Sequence, residues 1–358
     1  MIYTITCQRA KNYGAVLQTY ALAKFIDSLG YPVQVIDYKP NYLNVSQTNS
    51  GFLFNLARTI IQFPDRCRGE YVFKKFLNDY VPLTKRTFST CEDIKENLPY
   101  GSLYIAGSDQ IWNMNCANGN DDSYFLSFAP EKAKKASYAA SLAMEQLSNE
   151  QKKRLVDMTT DFNAVSIREK SGKELFENAT NRFADLVLDP VFLLDKESWK
   201  SIINEHEEKD KYLLVYAFYR HKEVFEYARK LANKMKCRVY FVNTAYLDCL
   251  MKYDKYFWCV SPNEFLTLFN NAESVVTNSF HGIAFSLIFH KDLHVFLPKR
   301  TGNSRINDFL QVLGLDSRIV KSDELIDSKI DYKKIDSLLN EKIDHSKSFL
   351  LKLLDDEQ

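Results

Sequence analysis

A chain of 358 residues, 46% hydrophobic and 26% charged, is long enough for two domains of ordinary size and has the balance of a globular protein. A net charge of +1 leaves no electrostatic footprint for nucleic acid. Seven cysteines, an odd number with no Cys-x-x-Cys pair, argue against both a disulfide framework and a zinc site and are expected of a reduced, cytoplasmic protein. The apolar stretch 1–7 has its charges after it (Arg9, Lys11), the wrong order for a signal peptide, and no window approaches the length of a membrane span. Contact with a membrane, at its inner face, is therefore expected to be peripheral at most.

In chain order, residues 2–6 read as a strand, Asn12-Tyr13-Gly14-Ala15 as a turn, and the following residues as a helix to about Leu29, closed by Gly30. Residues 32–38 are a second strand. This βαβ unit lacks Gly-x-Gly-x-x-Gly, so no nicotinamide or flavin cofactor is expected, but the turn at Asn12, Tyr13 and Gly14 is placed to lie against a ligand. Residues 41–100 read as a helical insertion or cover.

Strand 102–106 runs into Gly107-Ser108-Asp109, again at a carboxyl edge. Asp109 there is either a general base or hydroxyl-binding carboxylate, or a residue that caps its own backbone turn. Strand 164–167 delivers Arg168, either a planar clamp for phosphate or carboxylate or a surface partner of Glu169 or Glu174. Asp189 is held extended by Pro190.

The charged run 195–211 marks a linker, after which strands and helices alternate: 212–218, 222–235, 238–242, 262–270, 273–277, 280–290 and 293–296. Terminal helices are expected over 307–315 and 333–354. In 273–296 the short polar run Thr277-Asn278-Ser279 caps a helix whose first turn holds His281 and Gly282. Exposed N–H groups and the positive end of the helix dipole suit an anion there, and a histidine so placed binds it or moves a proton; the alternative is a core histidine with a satisfied hydrogen bond. Lys299, Arg300 and Arg305 follow as a basic cluster, either anion-holding or solvated. His290-x-x-x-His294 spans a helix end and a strand and is read as structural, and no metal is expected.

The expected fold class is α/β: two Rossmann-like domains facing a cleft, with parallel sheets carrying helices on both faces. The boundaries are 1–195, 196–330, and a C-terminal helix over 331–358.

With these residues in place, the chain resembles the polysaccharide pyruvyl transferase family over most of 1–315. The resemblance rests on Asn12-Tyr13-Gly14-Ala15-Val16-Leu17-Gln18 with Ile36-Asp37-Tyr38, on Gly107-Ser108-Asp109-Gln110-Ile111-Trp112-Asn113, and on Ser137-Tyr138-Ala139-Ala140-Ser141. Ser166-Ile167-Arg168-Glu169, Leu188-Asp189-Pro190 and Ser279-Phe280-His281-Gly282 complete the set. It implies a GT-B-like arrangement and a role in exopolysaccharide or capsule biosynthesis. The implied reaction moves the enolpyruvyl group of phosphoenolpyruvate onto two hydroxyls of a sugar, giving a pyruvate ketal and free phosphate. The implied partners are phosphoenolpyruvate and a carrier-linked sugar acceptor, with no further cofactor.

Matched by motif, Arg168 and His281 carry donor recognition; His281 serves as acid, Asp109 orients the acceptor hydroxyl, and Asn12, Tyr13, Gly14, Ser108, Asn278, Ser279 and Gly282 line the substrates. Many relatives have an arginine two residues before the histidine. Here Ser279 stands there, so donor anchoring differs or Lys299 or Arg305 supplies the cation. Two other readings stay open: a nucleotide-sugar glycosyltransferase on the same fold, and a non-catalytic sugar- or anion-binding relative.

Overall fold

A computed structural model describes residues 1–44, 52–204, 210–218, 222–298, 303–322 and 324–355. The first half runs β1 (Ile2–Ile5), α1 (Tyr13–Ser28), β2 (Val33–Tyr38), α2 (Phe52–Tyr80), β3 (Leu83–Phe88), α3 (Cys91–Asn97) and β4 (Leu103–Ala106). It continues with β5 (Lys134–Ser137), α4 (Asn149–Thr159), β6 (Ser166–Ile167), α5 (Lys170–Thr180), β7 (Asp185–Leu186) and α6 (Lys196–Lys200). The second half holds β8 (Tyr212–Tyr216), α7 (Lys222–Met235), β9 (Arg238–Asn243), β10 (Lys255–Trp258), α8 (Pro262–Asn271) and β11 (Ser274–Thr277). It ends with α9 (Phe280–Ile288), β12 (Asp292–Val295), α10 (Asn303–Val312) and α11 (Tyr332–Asp355).

The two main sheets share one plan. The first has the order β3-β2-β1-β4-β5 and the second β10-β9-β8-β11-β12, with every pairing parallel. Chain order reverses between β1 and β4 in one sheet and between β8 and β11 in the other. Those are the points where a parallel sheet leaves a crevice at its carboxyl edge.

Two strands went unread in the sequence, β3 and β10. Both are sheet edges with exposed side chains, Lys85, Arg86 and Thr87 in β3 and Lys255 in β10, so the apolar alternation of a strand is diluted. Residues 41–100 therefore hold more than a cover: β3 completes the first sheet, and α2 reaches the second half. There Asp65 accepts from Tyr246 N (2.7 Å) and Trp258 Nε1 (2.8 Å), and Arg68 donates to Trp258 O at 2.9 Å.

Helix α1 is buried nearly all round, because it lies between the halves. Tyr13 stacks on Phe265 at 4.2 Å between centroids, and Tyr20 meets Trp199 at 5.7 Å. One hydrophobic cluster accordingly runs through both halves. Helix α11 returns to the first half, where Ser346 Oγ accepts from Leu188 N at 2.9 Å. Among the described residues, no helix is long and apolar enough to cross a membrane.

Candidate active site

The first wall of the site grows from the strand ends of the N-terminal sheet. After β1, the Asn12 side chain caps α1 by accepting from Gly14 N at 2.8 Å. After β4, Thr6 Oγ1 donates to Ser108 O at 2.7 Å and fixes the turn that turns Asp109 into the cleft. Asp109 adopts φ +75°, a left-handed conformation that aspartate tolerates because its short side chain bonds locally; Oδ1 accepts from Gln110 N at 2.8 Å. The turn-capping reading of Asp109 is thus seen, and the same carboxylate also faces Arg168 Nη2 at 3.3 Å.

Arg168 is no surface residue. Its side chain is 2% exposed, and Nη1 donates to Asp189 Oδ2 at 2.6 Å, with Glu169 Oε2 at 3.9 Å from Nε. The Phe280 ring lies 5.2 Å beneath its guanidinium. Asp189 is fully buried and accepts from Ser108 Oγ at 3.0 Å and Val191 N at 3.2 Å as well. Burial would raise the Asp189 carboxyl, but His281 and Arg168 outweigh it and hold it well below the usual carboxylate range. Asp109 behaves likewise: burial opposes its charge, and Arg168, His281 and Arg305 prevail.

The second wall comes from the C-terminal sheet. Asn278, just past β11, clasps the end of β8 with two hydrogen bonds, accepting from Phe218 N (2.7 Å) and donating to Phe218 O (2.8 Å). Ser279 caps α9. At Gly282 a Cβ would overlap Thr277 Oγ1, which explains glycine there. His281 then crosses the gap between the halves: its ring sits directly over Gly14, and its buried Nε2 lies 3.7 Å from Asp189 Oδ2, too far for a hydrogen bond and without another partner. Arg305 on α10 joins this group with a buried Nε that also has no partner. Burial, then the neighbouring Arg168, lowers the Arg305 guanidinium from its ordinary value.

Together these groups border a cleft of about 710 Å³. Asn12, Asp109, Arg168, Asn278, Ser279, His281 and Arg305 line it. Other expected site residues stand behind the lining. Tyr13 is buried, its hydroxyl on Val260 O at 3.0 Å, and joins the halves instead of facing a ligand. Ser108 and Gly14 act through Asp189 and His281. Lys299 lies outside the described residues. His290 and His294 are apart from the cleft, paired with Asp336 (3.1 Å) and with Tyr227 and Asp292 (2.8 and 3.0 Å).

Sequence reasoning missed Asp189 as a charged site residue; its signals were the proline that fixes its backbone and its place in the Leu188-Asp189-Pro190 motif. It also missed the amide wall of Gln110, Asn113, Asn115 and Gln146, which offers donors and acceptors suited to hydroxyls.

Residues 12–297 match the sequence profile described as Polysaccharide pyruvyl transferase. The chain belongs to the polysaccharide pyruvyl transferase family. No curated protein matches it significantly. Among solved structures, a putative UDP-N-acetylglucosamine 2-epimerase from Listeria monocytogenes superposes with TM-score 0.51 at 11% identity, covering 96% of this chain and 89% of that one. The UDP-GlcNAc 2-epimerase from Methanocaldococcus jannaschii gives 0.46 at 12%, covering 95% and 92%. The ADP-heptose lps heptosyltransferase II of E. coli gives 0.41 at 10%, covering 95% and 99%. At 11% identity the likeness to the first of these is one of fold; with its two parallel sheets, this pyruvyl transferase family member has the α/β, GT-B-type architecture expected from its sequence.

Proposed function

We propose that this protein transfers the enolpyruvyl group of phosphoenolpyruvate to two hydroxyls of one sugar, forming a cyclic ketal and releasing phosphate. The observation that supports the reading is the meeting, at the switch points of both sheets, of His281 and Arg305 with Arg168 and its carboxylates. His281 Nε2 and Arg305 Nε are buried polar atoms without partners, and such groups are costly unless a ligand satisfies them. Phosphoenolpyruvate is a compact polyanion suited to that task.

In this reading the donor's carboxylate and phosphate lie against Arg305 and the first turn of α9, which takes the place of the arginine that Ser279 replaces. Arg168 lines the same cleft; by donating from Nη1 to Asp189 and from Nη2 to Asp109 it orients these carboxylates, and it spreads positive charge toward the donor's carboxylate. His281 protonates the vinyl carbon. Asp109, held as the carboxylate, takes the proton of the attacking sugar hydroxyl as the C2–O bond forms. Loss of phosphate from C2 then admits the second hydroxyl, which closes the ketal as its proton passes to the departing phosphate. Acid–base assistance of this kind is worth about 10²–10⁴-fold.

The test is to incubate the protein with phosphoenolpyruvate and a panel of glycan acceptors while following phosphate release and acceptor mass. Phosphate release matched by addition of one ketal-linked pyruvate, and lost in His281→Ala, is the expected result. Full turnover in His281→Ala would remove its role, and no transfer to any acceptor would count against the reaction.

A further inference from the structure

Glu169 caps a segment other than its own helix. It stands at the N-cap of α5, yet its side chain makes no capping bond there. The carboxylate turns instead to the chain beyond β5, where Oε1 accepts from Ser141 Oγ, Leu142 N and Ala143 N at 3.0, 2.9 and 3.1 Å. Glutamate, one methylene longer than the aspartate common at N-caps, has the reach for this. Gly172, in the first turn of α5, leaves room for it, since a Cβ there would lie 2.7 Å from Oε1.

These bonds shape one wall of the cleft. The Ser141 backbone is held by the turn of Asp109, donating to Asp109 O at 3.0 Å and accepting from Trp112 N at 3.3 Å. The next two amides, of Leu142 and Ala143, are held by the Glu169 side chain. Ala143 then takes a left-handed backbone, φ +49°, which an L residue adopts where its surroundings impose it. Beyond that bend Met144, Glu145 and Gln146 line the cleft, as do the amides of Gln110 and Asn113. Glu169 itself is 3% exposed and does not line the cleft. Its second oxygen, Oε2, is buried without a hydrogen bond and lies 3.9 Å from Arg168 Nε. One carboxylate thus stands between the guanidinium on the donor side and the segment that carries Gln146.

We propose that Glu169 is a positioning residue for the sugar: by holding Leu142 and Ala143 it sets Met144 and Gln146 against the ring whose hydroxyls the amides bind. That this sugar is the acceptor of pyruvyl transfer rests on the pyruvyl-transfer reading; that Glu169 shapes a sugar-binding wall does not.

The experiment compares the full-length wild type with Glu169→Ala, Glu169→Gln and Ser141→Ala. Three quantities are read: hydrogen exchange at the Leu142 and Ala143 amides, affinity for methyl galacto-, gluco- and mannopyranosides by saturation-transfer NMR, and the thermal shift with phosphoenolpyruvate. Glutamine keeps an acceptor oxygen for the three donors and drops the charge beside Arg168. Ser141→Ala removes one donor, keeps that charge, and carries the test should Glu169→Ala not fold. Glu169→Ala is expected to speed exchange at both amides and to weaken the best-bound glycoside about tenfold, the size of one hydrogen bond. Its phosphoenolpyruvate shift is retained. Glu169→Gln restores most of the glycoside affinity, and Ser141→Ala falls between wild type and Glu169→Ala.

The proposal is overturned if the wild type binds none of the glycosides, or if neither Glu169→Ala nor Ser141→Ala weakens their binding; a lower thermal midpoint alone would make Glu169 structural. An equal loss in Glu169→Gln would overturn it too, by tracing the effect to charge beside Arg168, as would loss of the phosphoenolpyruvate shift in step with glycoside affinity. If phosphoenolpyruvate neither shifts the wild type nor releases phosphate, yet Glu169→Ala still weakens glycoside binding, the positioning role stands and the pyruvyl-transfer reading falls.

Discussion

His281 rests directly on Gly14, so closely that a methyl group at residue 14 would overlap the imidazole ring, 2.0 Å from Nδ1. One half of the protein thus presents its histidine through a notch in the first helix of the other, and the ring's position depends on the absence of a side chain there. Gly14→Ala is expected to cost about 1–3 kcal/mol as an overpacking change. By displacing the ring by the order of an ångström it should also lower turnover about 10²-fold. Denaturant titration and phosphate-release rates check both; a Gly14→Ala protein with wild-type turnover would detach His281 from its notch.

Asp189 makes stability depend on acid. Its carboxyl in the folded protein lies below the ordinary value near 3.8, so the unfolded chain takes up the proton first as pH falls. The stabilisation is fully present above about pH 4 and is lost progressively below it. Asp189→Asn removes a partner of buried Arg168 and is expected to cost about 3–5 kcal/mol at neutral pH. Denaturant unfolding at pH 6 and pH 3 should show the gap between wild type and variant narrowing at the lower pH. A gap of constant size would contradict this assignment.

Arg305 is placed for binding at the expense of its own environment, since burial and Arg168 both oppose its charge. Arg305→Ala should leave the thermal midpoint of the unliganded protein unchanged or higher, while abolishing any upward shift produced by phosphoenolpyruvate. A large loss of stability with the ligand-induced shift intact would make it a structural residue.

Asn278 ties the two central strands of the second sheet at their carboxyl ends. Asn278→Ala leaves Phe218 N and O unpaired, at about 1–3 kcal/mol for each group that remains out of water. Asn278→Asp, which can still accept from Phe218 N but cannot donate to Phe218 O, should fall between the two in denaturant unfolding. Equal stability of all three would show that water replaces the side chain.

The second half was legible because its signals are local. Helix Lys222–Met235 was read at its observed ends, and β11, α9 and β12 followed from an apolar run broken by Thr277-Asn278-Ser279. Asp109, Arg168 and His281 were legible for a related reason: each follows a buried strand, and strand ends in a parallel sheet face the ligand edge. What stayed hidden depends on pairing across long separations. Asp189 is 21 residues from Arg168 and 81 from Ser108, so its neighbouring proline was visible and its charge partners were not. Tyr13 looked like a ligand residue because its neighbours are; only the packing of α1 on Phe265 assigns it to the core between the halves.

The most direct test of the account is thermal unfolding with and without millimolar phosphoenolpyruvate, on wild type and His281→Ala. A ligand that binds only the native state adds about 2.7 kcal/mol at 100 times its dissociation constant. The account predicts a clear upward shift in wild type that is lost in His281→Ala. Protection of the wild type by a nucleoside diphosphate, with none from phosphoenolpyruvate alone or together with glycan acceptors, would contradict it.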